Sequence, residues 1–148
     1  PDVPIEESMQ ALADLVDRGL IRHVGVSNVS VDQLARARDV VDVATVQNEY
    51  NVANRTHDDV LDVCEAEDIG FVPYFPLGGG DLGEKAAVLD DVAAAHDATR
   101  RQVALAWLLH RSPVILPIPG TSSVDHLEAN VAAADVDLTD DEMARLSA

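Results

Sequence analysis

Two short stretches carry side chains suited to holding a neutral polar ligand. Ser27-Asn28 ends the run Val24-Gly25-Val26, and Gln47-Asn48-Glu49-Tyr50-Asn51 follows the run Val43-Ala44-Thr45-Val46. Each run is aliphatic and β-like, and each changes abruptly to hydroxyl and amide groups. In parallel α/β proteins the carboxyl ends of the strands are where ligands bind. Loop capping by Asn and Ser accounts equally well for one such end. Two in succession, with two more downstream, favour a site that hydrogen-bonds something neutral and polar.

The third end is Tyr74-Phe75-Pro76-Leu77-Gly78-Gly79-Gly80. An aromatic ring at a strand end can stack on a flat ligand, and a Gly-rich backbone can approach a pyrophosphate closely. Alone this is a weak signal, because Gly loops usually mean turns. The fourth end is Pro117-Ile118-Pro119-Gly120-Thr121-Ser122-Ser123, running into the segment Val124 to Asn130. A hydroxyl-rich turn at a helix N-terminus offers free N–H groups and positive dipole to an anion. Ordinary N-capping by Ser123 explains the same residues as well.

The elements that must position these ends alternate in type. Ile5, Met9, Leu12, Ala13 and Val16 recur at helical spacing, with Pro4 at the start and Gly19 at the stop. A strand over 21–27 follows, then a helix over 31–41 capped by Ser30, and a strand over 43–47. Thr56 to Asp59 has capping-box spacing and opens a helix through Val60, Val63 and Cys64 that stops near Gly70. A strand over 71–75, a loop and a helix over 86–96 come next. A second box, Thr99 to Gln102, opens the almost wholly apolar Val103 to Leu109, which must be buried. A strand over 114–118, a helix from Ser123 to about 133 and a short helix boxed by Thr139 and Glu142 complete the chain. Such alternation predicts parallel strands with crossover helices. A full eight-stranded barrel needs about 250 residues; this chain has 148.

Composition narrows the function classes. The formal charge is −17, with Lys85 the sole lysine, a field that repels nucleic acid and anionic membranes. Excess Asp with almost no Lys resembles proteins of salt-loving archaea. No apolar run approaches the roughly 20 residues of a membrane span, and no signal-peptide pattern opens the chain, so a cytoplasmic location is expected. The first residue is Pro, so the numbering is expected to begin inside a longer polypeptide. The single Cys64 cannot form an internal disulfide and reads as a small buried hydrophobe.

Taken in order, the segments Gly19 to Asn28, Gln47 to Asn51, Tyr74 to Gly78, Val103 to Leu109 and Ile118 to Thr121 resemble the C-terminal half of the aldo-keto reductases. The resemblance spans nearly the whole chain. It implies the C-terminal half of a (β/α)8 TIM barrel, with four parallel strands, flanking helices and a missing N-terminal half. It further implies a cofactor, NADP(H) or NAD(H), lying extended across the strand ends, and a small carbonyl substrate reduced by hydride transfer. On that resemblance, Ser27, Asn28 and Gln47 would grip the nicotinamide carboxamide and Tyr74 would stack on its ring. Leu77, Gly78 and Gly79 would lie along the pyrophosphate. Gly120, Thr121, Ser122 and Ser123 would surround the adenosine ribose, and Asn130 would contact adenine.

The sequence departs from the family in two ways. Many NADPH-using members have Lys at the position of Gly120 and Arg at that of His126, so the charge for a 2′-phosphate is missing here. The hydroxyls of Thr121, Ser122 and Ser123 remain as donors. Secondly, the family's catalytic Asp, Tyr, Lys and His come from earlier strands. Neither Tyr50 nor Tyr74 has a lysine nearby in sequence, and no histidines pair at metal spacing. No catalytic residue or metal ligand is assigned in this chain, and alone it is expected to be inactive. Two other readings compete: a nicotinamide-binding sensor or regulatory subunit without turnover, and an unrelated phosphate-binding barrel.

Overall fold

Pro4, with its φ fixed near the helical value, precedes helix α1 (Ile5–Asp17). The helix ends as the sequence predicts. Gly19 takes φ +68°, and the N–H groups of Gly19 and Leu20 close back on the carbonyls of Val16 and Leu15 at 2.8 and 3.0 Å. This paired closure is the Schellman stop, and glycine adopts it without a Cβ penalty. A computed structural model of the protein describes residues 3–80 and 82–148. After α1 come β1 (Val24–Ser27), α2 (Val31–Arg38), β2 (Val43–Gln47), α3 (Asp58–Ala66), β3 (Gly70–Phe71), α4 (Ala86–Ala95), α5 (Arg100–Arg111), α6 (Val124–Ala132) and α7 (Asp140–Ser147).

The sheet is parallel, in the order β1-β2-β3. Val24, Val26, Val43, Val46 and Phe71 are buried beneath helices, while Gly25, Ser27, Thr45 and Gln47 are exposed. Gly25 is required by its neighbour: a Cβ there would collide with Thr45 Oγ1 on the adjacent strand. One sheet face is thus covered by helices and the other is bare.

The fourth expected strand is reduced to a single parallel bridge between Phe71 and Ile115. Phe71 N–H donates to Val114 O, and Leu116 N–H donates to Phe71 O, both at 2.8 Å. Pro117 and Pro119 have no N–H to extend this ladder. The order still follows the chain, since the third strand lies between the second and this segment. The strand expected over 71–75 is likewise regular only at Gly70–Phe71, because Pro73 interrupts its donors. Beyond it, Val72 N–H reaches Val46 O at 2.8 Å and Tyr74 N–H reaches Asn48 O at 3.1 Å. The expected strand over 21–27 begins only at Val24, and the helix expected over 31–41 ends at Arg38.

Capping follows local chemistry. Ser30 with Gln33, Thr99 with Gln102 and Thr139 with Glu142 form reciprocal boxes, and Ser123 caps α6. The box expected at Thr56 and Asp59 does not form. Asn54 Oδ1 instead accepts from Thr56 N–H at 3.2 Å and from its hydroxyl at 2.8 Å. The helix therefore starts one residue later, at Asp58, with His57 as N-cap and no side-chain cap.

Behind the sheet, Tyr50 stacks on Trp107 at 5.9 Å between ring centroids and meets Phe71 edge-on at 5.6 Å. All three are fully buried. Tyr50 OH donates to Asp58 Oδ1 at 2.5 Å, and Asp58 also accepts from Arg55 at 2.7 Å and Arg111 at 3.3 Å. Arg55 and the Trp107 indole both bond Ser147, tying α7 to this centre. Burial alone would raise the Asp58 carboxyl, but the hydrogen bonds from Tyr50 and Arg55 and the charges of Arg55 and Arg111 hold it below the ordinary 3.8.

Asp58→Ala leaves the Tyr50 hydroxyl unpaired in the core, so we predict a loss of about 1–3 kcal/mol in urea unfolding at pH 7. Adding Tyr50→Phe should recover part of that loss. The carboxylate contributes fully above its unfolded value of 3.8 and loses its contribution as pH falls through the lower folded value. The gap between Asp58→Ala and the parent should therefore narrow at strongly acidic pH; an unchanged gap would contradict this account.

Candidate functional site

At the carboxyl ends of β1 and β2 the regular ladder gives way to side-chain bonds. The carbonyl of Gln47 accepts both Asn28 N–H at 3.0 Å and Ser27 Oγ–H at 2.8 Å. Asn48 is fully buried; its amide accepts from Val29 N–H at 3.1 Å and donates to Val29 O at 2.8 Å. Asn28 takes φ +54°, a left-handed conformation that asparagine tolerates better than most residues. This turns its side chain to Tyr74, whose hydroxyl donates to Asn28 Oδ1 at 2.8 Å. Ser27, Asn28, Gln47 and Tyr74 are thereby joined across three successive strand ends. Among the described residues no hydrogen bond occupies the exposed Gln47 amide.

The next loop is held by Asn51. Its Nδ2 donates to Phe75 O at 3.0 Å, while its Oδ1 accepts from the N–H groups of Ala53 and Asn54. Phe75 takes φ +49°, a strained value for a bulky residue that the surrounding bonds must sustain. The chain then makes a tight turn over Gly78–Gly80, with left-handed φ of +57°, +68° and +100° that only glycine adopts freely. Leu77 and Gly79 border a cavity of about 580 Å³ that runs from Tyr74 and Phe75 to Ile118, Pro119 and Gly120, with Arg101 on its wall. A Cβ added at Gly79, Gly80 or Gly120 would meet nothing within 4 Å, so these backbones face open space. Gly78 instead turns toward Leu82 and Asn51.

The residues expected for the adenosine end lie further out. Thr121 Oγ1 accepts from Ser123 N–H at 3.1 Å, and Ser123 Oγ accepts from His126 N–H at 3.4 Å. The Thr121 hydroxyl donates in turn to Ser123 O at 3.4 Å, so of these two hydroxyls it is that of Ser123 that keeps its proton to offer a ligand. Thr121, Ser122 and His126 are exposed and border neither hollow of this region. Asn130 borders the second, a smaller hollow of about 270 Å³ with Leu105, Pro117 and Leu127; Pro119 is common to both.

Three residues of this region carry roles that the motifs did not reveal. Asn48 and Asn51 are buried clamps, and their signal was polarity in an otherwise core-bound stretch. Arg101 is the cation on the cavity wall. It stands in the first turn of α5, where a positive charge opposes the helix dipole, and that misplacement was its signal.

Elsewhere the titratable groups are structural. Burial and the hydrogen bond to Asp58 push Tyr50 up to about 12, away from the range of a general acid at neutral pH. Burial likewise raises the Cys64 thiol to about 11. His96 bonds Glu142 at 2.9 Å, and His110 bonds Ala106 O at 2.9 Å. Among the described residues no three His, Cys, Asp or Glu side chains group as metal ligands. A hollow of about 730 Å³, lined by residues such as Arg22, His23, Arg38 and Asp42, lies at the opposite, amino ends of β1 and β2. Its size does not make it the site, because the convergent polar strand ends lie at the other edge of the sheet.

The sequence profile of the Aldo/keto reductase family matches residues 1–148. Pyridoxine 4-dehydrogenase of Escherichia coli is 48% identical over 142 residues, covering 96% of this chain and 49% of that protein. The thermostable aldo-keto reductase Tm1743, solved with the inhibitor epalrestat, superposes with a TM-score of 0.93 at 34% identity, over 99% of this chain and 55% of its own. An aldo/keto reductase of Klebsiella pneumoniae, solved with NADP and acetate, gives 0.87 at 32% identity, over 99% and 54%. The chain thus spans about half the length of the relatives it matches. The family profile matches the whole sequence and the fold matches over 99% of it, and the chain belongs to the aldo/keto reductase family.

Proposed function

We propose that this chain is the C-terminal, cofactor-binding half of an NAD(P)H-dependent oxidoreductase that reduces aldehydes or ketones to alcohols. The observation that carries the reading is the joined set Ser27, Asn28, Gln47 and Tyr74, continuous with the glycine-walled cavity that ends at Gly120. The Klebsiella pneumoniae relative is solved with NADP, which supports the same cofactor class here. A bound nicotinamide dinucleotide would supply the hydride.

The chain's own residues fit that group by donor set and by space. The free Gln47 amide and the Ser27–Asn28 pair offer neutral donors and acceptors suited to a carboxamide. Tyr74 offers a ring whose hydroxyl is already anchored on Asn28, and so is held in one orientation. Gly79 and Gly120 leave room for a ligand to approach the backbone. Thr121, Ser122 and Ser123 would meet the ribose, and Asn130 the adenine. With Gly120 and His126 in place of basic residues, preference for NADPH over NADH should be weak.

The half-barrel reading draws support from the bare sheet face at Gly25, Ser27, Thr45 and Gln47 and from the apolar surface of Leu116, Val124, Leu127 and Val131, each more than half exposed. A complementary N-terminal half would cover them and bring the proton donor and substrate-orienting groups. Among the described residues no helix is long and apolar enough to cross a membrane.

In the full-length protein, Gln47→Ala should weaken dinucleotide binding about 5- to 150-fold in a fluorescence titration, the cost of one or more lost hydrogen bonds in a desolvated site. Unchanged affinity would remove Gln47 from the site. The isolated 148-residue chain should self-associate in the ultracentrifuge through its exposed apolar surface and show no NAD(P)H-dependent carbonyl reduction. A monomeric chain that turns over a carbonyl substrate would overturn the assignment of the acid to a missing half.

A further inference from the structure

Arg101 is the residue of the candidate site that no motif accounts for. It lines the cavity of about 580 Å³ between Tyr74–Gly80 and Ile118–Gly120, and among the described residues lining that cavity it is the one charged group. This is unusual in a protein with a formal charge of −17. Arg36, Arg38, Arg55, Arg100, Arg111 and Arg145 each pair with a carboxylate. The neighbouring Arg100 turns to Asp90 at 2.7 Å, away from that wall. Arg101, like Arg18 and Arg22, has no ion pair or side-chain hydrogen bond among the described residues, although acidic side chains are abundant; of these three it is the one that borders the strand-end cavity.

The surroundings restrict what such a cation would hold. The cavity walls are glycine backbone, proline and aliphatic or aromatic side chains, so no described lining carboxylate competes for the guanidinium. A ligand seated there approaches open backbone at Gly79, Gly80 and Gly120. A planar fork of N–H donors recognises paired anionic oxygens, as in a phosphate, better than a single charge point does. The cavity extends from Tyr74, at the proposed nicotinamide end, to Gly120, where the turn proposed for the adenosine ribose begins. Arg101 lines the same cavity as both ends.

Resting on the dinucleotide reading above, we infer that Arg101 is an affinity-determining residue of this site: its guanidinium holds the cofactor's pyrophosphate and supplies locally the cation that Gly120 and His126 do not. It acts on the part common to both cofactors. It therefore strengthens NADH and NADPH binding alike and does not discriminate between them.

The test is a fluorescence titration of the full-length protein with NADH and with NADPH, at low and high salt, for the parent, Arg101→Gln and Arg101→Lys. Arg101 is exposed, so both variants should keep the parent's thermal melt. Arg101→Gln should weaken both cofactors by a similar factor of roughly 10- to 100-fold, the range for a charge-assisted hydrogen-bonded contact. Its affinity should also depend less steeply on salt. Arg101→Lys should recover part of the loss. Losses within about twofold for both cofactors, or a loss confined to NADPH, would overturn the inference while leaving the cofactor reading in place. A parent protein that binds neither dinucleotide would overturn the cofactor reading, and the inference with it.

Discussion

The candidate site depends on how two parallel strands are closed where their ladder stops. Beyond Ser27 and Gln47 the backbone must turn outward, and its polar groups would be left unpaired next to the core. Asn48 resolves this for Val29 by taking both its N–H and its carbonyl on one buried amide. Losing that clamp would leave two backbone groups unsatisfied, at a cost of about 1–3 kcal/mol each. With Val29 fixed, Asn28 can hold a left-handed conformation and aim its side chain at Tyr74. The hydroxyl of Ser27 and the N–H of Asn28 then converge on one carbonyl. The geometry proposed for ligand recognition is thus set by a residue that faces no ligand.

The two sides of the sheet differ in kind. On the helix side, Tyr50, Phe71 and Trp107 form a closed aromatic centre, and the Tyr50–Asp58 bond, braced by Arg55 and Arg111, ties α3, α5 and α7 together. On the opposite side Gly25 leaves the room that the Thr45 hydroxyl takes, and both are exposed. The glycine turn at 78–80 and the proline-rich segment at 117–119 continue this open side outward. A rigid helical layer behind and an open polar rim in front is an arrangement that places function on loops and keeps stability out of them.

Most of this was legible in the sequence where the signal was local. Gly19 announced the helix stop because only a residue without a Cβ enters that conformation freely. Thr99–Gln102 and Thr139–Glu142 were readable because a capping box is closed within four residues. Thr56 misled because Asn54, two residues earlier, competed for the same groups. The segment 114–118 has a strand's apolar content, but its prolines leave it one bridge. The amide and hydroxyl residues at the ends of β1 and β2 were visible as a group, whereas the separation of the clamps Asn48 and Asn51 from the exposed Gln47 was not. That separation is decided by burial, which depends on contacts between distant parts of the chain. Arg101 lay inside a capping box read only for its ends, Thr99 and Gln102; its charge in the first turn of α5 was a faint signal that Arg100 shares, and its place on the cavity wall is what sets it apart.

The acidity of the chain bears on the same question. A dinucleotide brings its own negative charge to a protein already at −17, so long-range electrostatics oppose binding and local contacts must offset them. The account places those contacts on neutral amides at one end, open glycine backbone with the Arg101 guanidinium in the middle and hydroxyls at the other. Its central claim is that one extended ligand runs along these strand ends. The most direct measurement is a crystal structure of the full-length protein grown with NADPH. The account predicts the nicotinamide against Tyr74, within hydrogen-bonding reach of Ser27, Asn28 and Gln47, with the phosphates beside Gly79 and Gly120. A cofactor seated at the amino ends of the strands, or oriented with adenine against Tyr74, would contradict it.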